Sequence, residues 1–114
     1  MAIAAFTYDA QQRNSTGAWA ALASGDTGAP VQVAPDALIS VQAISGTFAA
    51  QTLTWEGSLD GVNFVQLPDI KGVLMAMTAP GLLGVGQPIQ WIRPNMGGAG
   101  ASAVITRLVA VRAN

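Results

Sequence analysis

The sequence predicts an all-β fold, a single β-sandwich of about eight short antiparallel strands, jelly-roll-like or immunoglobulin-like. Three observations carry that prediction. Turn-forming residues are dense and evenly spread, 13 Gly and 6 Pro, so uninterrupted segments are short. The segments between them are rich in Val, Ile, Leu, Thr and aromatic residues, which suit a pleated, half-buried surface. Where polar residues interleave, as in Leu53-Thr54-Trp55-Glu56, the alternation has period two. A chain of 114 residues supports one hydrophobic core rather than two.

Taken in order, residues 1–17 read as an extended N-terminal arm and residues 18–114 as the sandwich domain. The arm is Ala-rich and polar, with Ile3, Phe6 and Tyr8 as its few apolar anchors. It is either a frayed terminus or a segment that orders against a neighbour, since Phe6 and Tyr8 are costly to leave in water. Strands are then expected at 18–23, 31–33, 37–45, 51–58, 62–67, 73–78, 89–93 and 103–112. The clearest of them is 51–58: Leu53 and Trp55 point inward, Thr52, Thr54 and Glu56 outward. Asp60-Gly61 is a strong turn pair, because Gly accepts the positive φ that tight hairpin turns need. Phe64 and Leu67 resume the apolar face, and Pro68-Asp69-Ile70-Lys71-Gly72 turns the chain into the next strand. The segment Val104 to Val111 is apolar on both faces apart from Thr106 and Arg107. It is therefore a central strand, or one covered by a neighbouring subunit. The glycine-rich run 95–101 is a flexible loop or a contact tip.

Composition excludes several functions. There is no Cys and no His, which removes disulfides, thiolate metal sites and the commonest general base. The net charge of −1 gives no electrostatic case for nucleic acid or an anionic membrane. Two uncharged stretches, 37–55 and 72–91, approach spanning length, but the first is studded with Ser, Thr and Gln and the second with Pro and Gly. Neither is the apolar helix that hydrocarbon requires.

Charged residues make up only 10% of the chain, against about 25% in an ordinary domain. A folded chain of this mass exposes roughly 5,800 Å², leaving each charge about 500 Å² to defend. Such a surface is prone to association. The expected protein is one that lives among neighbours.

Candidate chemistry is thin. Glu56 and Asp60 are the nearest carboxylate pair, but Glu56 faces outward and Asp60 belongs to a turn, so neither has the cleft that acid–base work needs. Without His a hydrolase triad is excluded, and a Ser/Lys dyad would rest on Lys71 alone. The run Ser58-x-Asp60-Gly61-x-Asn63 resembles a calcium loop and an Asp-box. One carboxylate is a poor cation site, though, and hairpin stabilisation accounts for the pattern. The expectation is no catalytic residue, no metal and no cofactor. Among three tryptophans, Trp55 is a core residue by alternation, Trp91 can face either way, and Trp19 is expected at an interface. Exposed tryptophans would also suit a glycan.

The run Trp55-Glu56-Gly57-Ser58-Leu59-Asp60-Gly61-Val62-Asn63-Phe64-Val65-Gln66-Leu67, followed by Gln90-Trp91-Ile92-Arg93-Pro94-Asn95, resembles small virion proteins of tailed bacteriophages, of the capsid decoration or cement type. The pattern spans roughly residues 37–112. The resemblance implies a β-sandwich that coats a capsid, with the major capsid protein as partner and the capsid surface of the virion as its place after synthesis in the host cytoplasm. It also implies a homotrimer and no enzymatic activity. No nucleic acid or membrane partner is expected. A tail, fibre or baseplate component is the first alternative and a carbohydrate-binding module the second. In the capsid reading Phe6, Tyr8, Trp19 and Trp91 supply apolar contacts, while Arg93, Arg107 and Arg112 face acidic capsid loops or are solvated strand-end charges.

Overall fold

A computed structural model describes residues 3–8, 14–34 and 37–112. Twelve strands follow in chain order: β1 (Ile3–Ala4), β2 (Phe6–Tyr8), β3 (Asn14–Leu22), β4 (Thr27–Gly28), β5 (Val31–Gln32), β6 (Ala37–Thr47), β7 (Leu53–Ser58), β8 (Val65–Gln66), β9 (Ala76–Met77), β10 (Gly81–Gly84), β11 (Trp91–Met96) and β12 (Ser102–Arg112). They form two sheets with a shared core. The five-stranded sheet has the order β10-β6-β12-β3-β2. The seven-stranded sheet runs β1-β4-β11-β7-β8, with β5 also on β11 and β9 also on β7. Pairing is antiparallel throughout, except that β1 lies parallel to β4. The fold class is the all-β sandwich the sequence predicts.

Alternation sets each face. Along β6, Ile39, Val41 and Ala43 are buried while Leu38, Ser40, Gln42 and Ile44 are exposed. Along β7, Leu53, Trp55 and Gly57 point inward. β12 is the central strand of its sheet, flanked by β6 and β3; Val104, Leu108 and Ala110 face the core, while Ile105 and Val109 are apolar but exposed on the outer face. The folded chain exposes 6010 Å², close to the scaling expected of a compact protein of this mass.

An aromatic stack crosses the core. Phe6 meets Trp19 edge-on at 4.6 Å between ring centroids, and Trp19 meets Trp55 at 5.7 Å, both with rings inclined by 61°. Such edge-to-face pairs are favourable beyond their buried area. Trp19 Nε1 donates to the Ala29 carbonyl at 2.9 Å, and Trp55 Nε1 points at Met77 Sδ at 3.4 Å. Two expectations are corrected here. Trp19 is no interface aromatic: it is fully buried, because its side of β3 faces the other sheet. Residues 3–4, 6–8 and 14–17 are strand, so a boundary at 17/18 falls inside β3. Backbone pairing of β2 with β3, with Phe6 opposite Trp19, binds this segment to the sandwich.

The predicted strands at 62–67 and 73–78 shrink to β8 and β9, both along β7. Between them residues 67–75 leave the sheet edge as a hairpin. Its base is held by Leu67 N–H to the Trp55 carbonyl (2.9 Å) and Met75 N–H to the Leu67 carbonyl (2.8 Å). Its far end reaches the other sheet, where Ile70 N–H donates to the Gly84 carbonyl (3.2 Å) and Gly86 N–H to the Pro68 carbonyl (3.0 Å). The hairpin thus straps the two sheets together along one flank.

One buried group lacks a partner. Thr106, on β12 between Ala43 and Trp19, is fully buried, and its Oγ1 finds no hydrogen-bond acceptor or donor among the described residues. A buried hydroxyl without a partner is destabilising. Thr106→Val is therefore expected to raise stability by about 1 kcal/mol, seen as a higher urea midpoint at unchanged slope.

Candidate interaction surfaces

The two outer faces of the sandwich differ. On the seven-stranded sheet, cross-strand register sets Glu56 beside Arg93 and Thr54 beside Asn95. Arg93 Nε bonds Glu56 Oε1 at 2.8 Å, and Asn95 Nδ2 donates to Glu56 Oε2 at 3.3 Å. The Arg93 guanidinium also lies 4.0 Å over the Phe64 ring, a cation–π contact. Arg93 is thus engaged on both sides within its own chain. Trp91 is half-buried on the same face, where the hairpin backbone at Gly61 closes over its indole.

That hairpin is self-contained. Ser58 Oγ accepts from the N–H groups of Asp60 (3.1 Å) and Gly61 (2.9 Å), and its hydroxyl donates to Asp60 Oδ1 at 2.7 Å. Asp60 Oδ1 also accepts from the N–H groups of Val62 (2.9 Å) and Asn63 (2.8 Å), and Oδ2 from Asn63 Nδ2 (2.8 Å). The Asn63 and Val62 N–H groups chiefly, then Ser58 and the Asn63 side chain, hold the Asp60 carboxyl far below its ordinary value of 3.8. Glu56 and Asp60 therefore engage different partners rather than each other.

The sign for Asp60 follows from its depressed folded pKa. Its stabilising contribution is complete above the ordinary carboxylate value and is lost as pH falls through the folded one. Asp60→Ala is expected to lower Tm at pH 6, and the gap to wild type is expected to narrow at pH 2, checked by thermal unfolding at both.

The outer face of the five-stranded sheet is bland by contrast. One row runs Leu82, Gln42, Arg107, Ala18 across four strands. Leu38 is 75% exposed at one end, with Ile44 and Val109 also partly exposed on this face. Among the described residues Arg107 is the charged side chain there, and it is half-buried. Phe6 is half-buried against Trp19. Tyr8 pairs with Gly17 and Arg112 with Ala37 by backbone register, while their side chains lie outside the described residues.

Among the described residues the few carboxylates are bonded within their own chain. Asp26 accepts from Ala23 N–H at 2.9 Å, and Asp69 Oδ1 accepts from Lys71 N–H (2.8 Å) and Val73 N–H (3.0 Å). With Glu56 and Asp60, these are the described carboxylates, and each is engaged by its own chain. Among the described residues no group of three or more His, Cys, Asp or Glu side chains gathers in a metal-binding cluster. Among the same residues no helix is long and apolar enough to cross a membrane.

Together these features define a β-sandwich whose distinguishing property is its surface. The chain is similar in fold to the SPBc2 prophage-derived protein YomS, known from a crystal structure. The TM-score is 0.56 at 9% identity, over 90% of this chain and 98% of that one. No protein-family model and no curated protein matches the sequence.

Proposed function

We propose that this protein is a non-enzymatic structural component of a tailed-phage particle, decorating the capsid by binding between capsid subunits. One observation carries the reading: among the described residues the carboxylates are spent on the chain's own turns and on Arg93, while twelve large hydrophobic side chains remain exposed. Single exposed aliphatics are ordinary, but this many on so small and weakly charged a surface call for a partner. The outer face of the five-stranded sheet, with Arg107 at its middle, suits a flat protein neighbour, since interface cores are depleted in charge. The fold of a prophage-derived protein supports a phage origin. A decorating protein stabilises by mass action, binding the assembled shell and not its free subunits.

The test is light scattering and thermal melting with purified shells that lack this protein. Saturable binding at fixed stoichiometry with a raised shell melting temperature is the expected result. Shells left unbound and unchanged in melting would remove the capsid role and direct the search to the tail, fibre or baseplate.

A further inference from the structure

Six of the most exposed aliphatic side chains share one flank. Leu59, Val65, Ile70, Val73, Leu74 and Leu82 are between 58% and 76% exposed. They lie where β8 and β9 end one sheet, β10 ends the other, and the 67–75 hairpin straps the two. Two shapes adjoin there. The first is a cleft of about 360 Å³ between the β7–β8 end of the seven-stranded sheet and the 87–89 segment, with Leu59, Val65, Leu67 and Pro88 among its walls. The second is the hairpin tip, which holds out Ile70, Val73 and Leu74. Gly86, bonded to Pro68 of the hairpin, directly precedes the Gln87-Pro88 wall of the cleft, so knob and socket are contiguous.

We propose that copies of this chain associate through this flank, the hairpin tip of one copy seating in the cleft of the next. Area supports a full interface. Each aliphatic side chain withdraws about 80 Å² from water on burial, so six yield about 500 Å² of apolar surface. A stable complex takes about 800 Å² per partner, a little over half of it apolar. Charge does not oppose it: the exposed Lys71 at the hairpin tip and Asp60 in the wall of the cleft are opposite in sign, Asp69 is turned onto its own loop, and the net charge is −1. A second copy is the fitting occupant, since a knob of Ile70, Val73 and Leu74 with one lysine, and a largely aliphatic socket with one aspartate, lie on one surface and are self-complementary, as contacts between identical chains require. The inference deepens the structural-protein reading and rests on it for its purpose, though its test needs no capsid.

Light scattering of the pure protein over a concentration series is expected to give a mass of two or more times 11.6 kDa. Ile70→Asp with Val73→Asp is expected to weaken association roughly a hundredfold, as is Val65→Asp on the socket side. Leu38→Asp, on the outer face of the five-stranded sheet, is expected to leave it unchanged. All these sites are exposed, and an unaltered circular dichroism spectrum confirms that each variant folds. A wild type that stays monomeric, or an oligomer indifferent to both the knob and socket variants, overturns the proposal. Shell binding is read separately: a monomer that still coats shells removes self-association and keeps decoration, and an oligomer that ignores shells does the reverse.

Discussion

Trp19→Ala is expected to cost about 3–5 kcal/mol, the range for removing a fully buried aromatic side chain. A small domain has about 5–15 kcal/mol in all, so much of its margin would go. Trp19 is fully buried, contacts Phe6 and Trp55 edge-on, and donates to the Ala29 carbonyl. Its removal leaves a cavity at the middle of the core and deprives that carbonyl of its donor. It also loosens Phe6, and with it the pairing of β2 on β3. Urea unfolding at low concentration, where self-association is negligible, measures the effect. Trp19→Phe is expected to recover part of the loss by refilling the cavity without the hydrogen bond. A loss below about 1 kcal/mol would mean that Trp19 does not sit in the core.

Gly46→Ala is expected to cost about 3 kcal/mol, through backbone rather than packing. Gly46 has φ +129° near the end of β6, opposite the irregular stretch of β12. A Cβ there would lie 2.5 Å from Val104 Cα and 2.6 Å from the Ala103 carbonyl oxygen. Neither is the tip of a flexible side chain, so the two strands must separate, and a non-glycine residue is strained at that φ in any case. Thermal unfolding is expected to show a fall in Tm of more than about 10 °C, given the scale for domains of this size. A fall of a degree or two would mean that β6 and β12 part easily at this end.

What the sequence made legible was decided by contrast between neighbouring residues. Leu53 and Trp55 stand between Thr and Glu, so their inward direction can be read, and both are fully buried. Asp60-Gly61 announces its turn by side-chain chemistry, and the apolar run of β12 places it mid-sheet. Trp19 stands between Ala18 and Ala20, which carry no polarity to set a face, and the structure alone turns it inward. β10 was missed because Gly81 and Gly84 bracket only Leu82 and Leu83, too little for a strand signal. The turn at Phe48–Gln51 falls in the gap left between the expected strands at 37–45 and 51–58, but its form could not be read. Ala49 and Ala50 have φ 51° and 61°, with Gln51 N–H on the Phe48 carbonyl at 2.8 Å. Alanine does not advertise such a conformation, and tertiary context imposes it. Of the candidate site residues, Trp91, Arg93 and Arg107 were found on outer faces. The Glu56–Arg93–Phe64 cluster depends on a register between β7 and β11 that no local pattern encodes.

The position of β12 has a consequence for the chain while it is still being made. Among the described strands it is the last in sequence, yet it fills the middle of its sheet between β3 and β6. A nascent chain still on the ribosome can align the seven-stranded sheet, since that ends at residue 96. Until residues 102–112 emerge, β3 and β6 each present an open edge to every other chain nearby. Folding is therefore expected to complete only after residues 102–112 have left the ribosome. Fragments ending before residue 102 are expected to aggregate rather than persist as partly folded monomers.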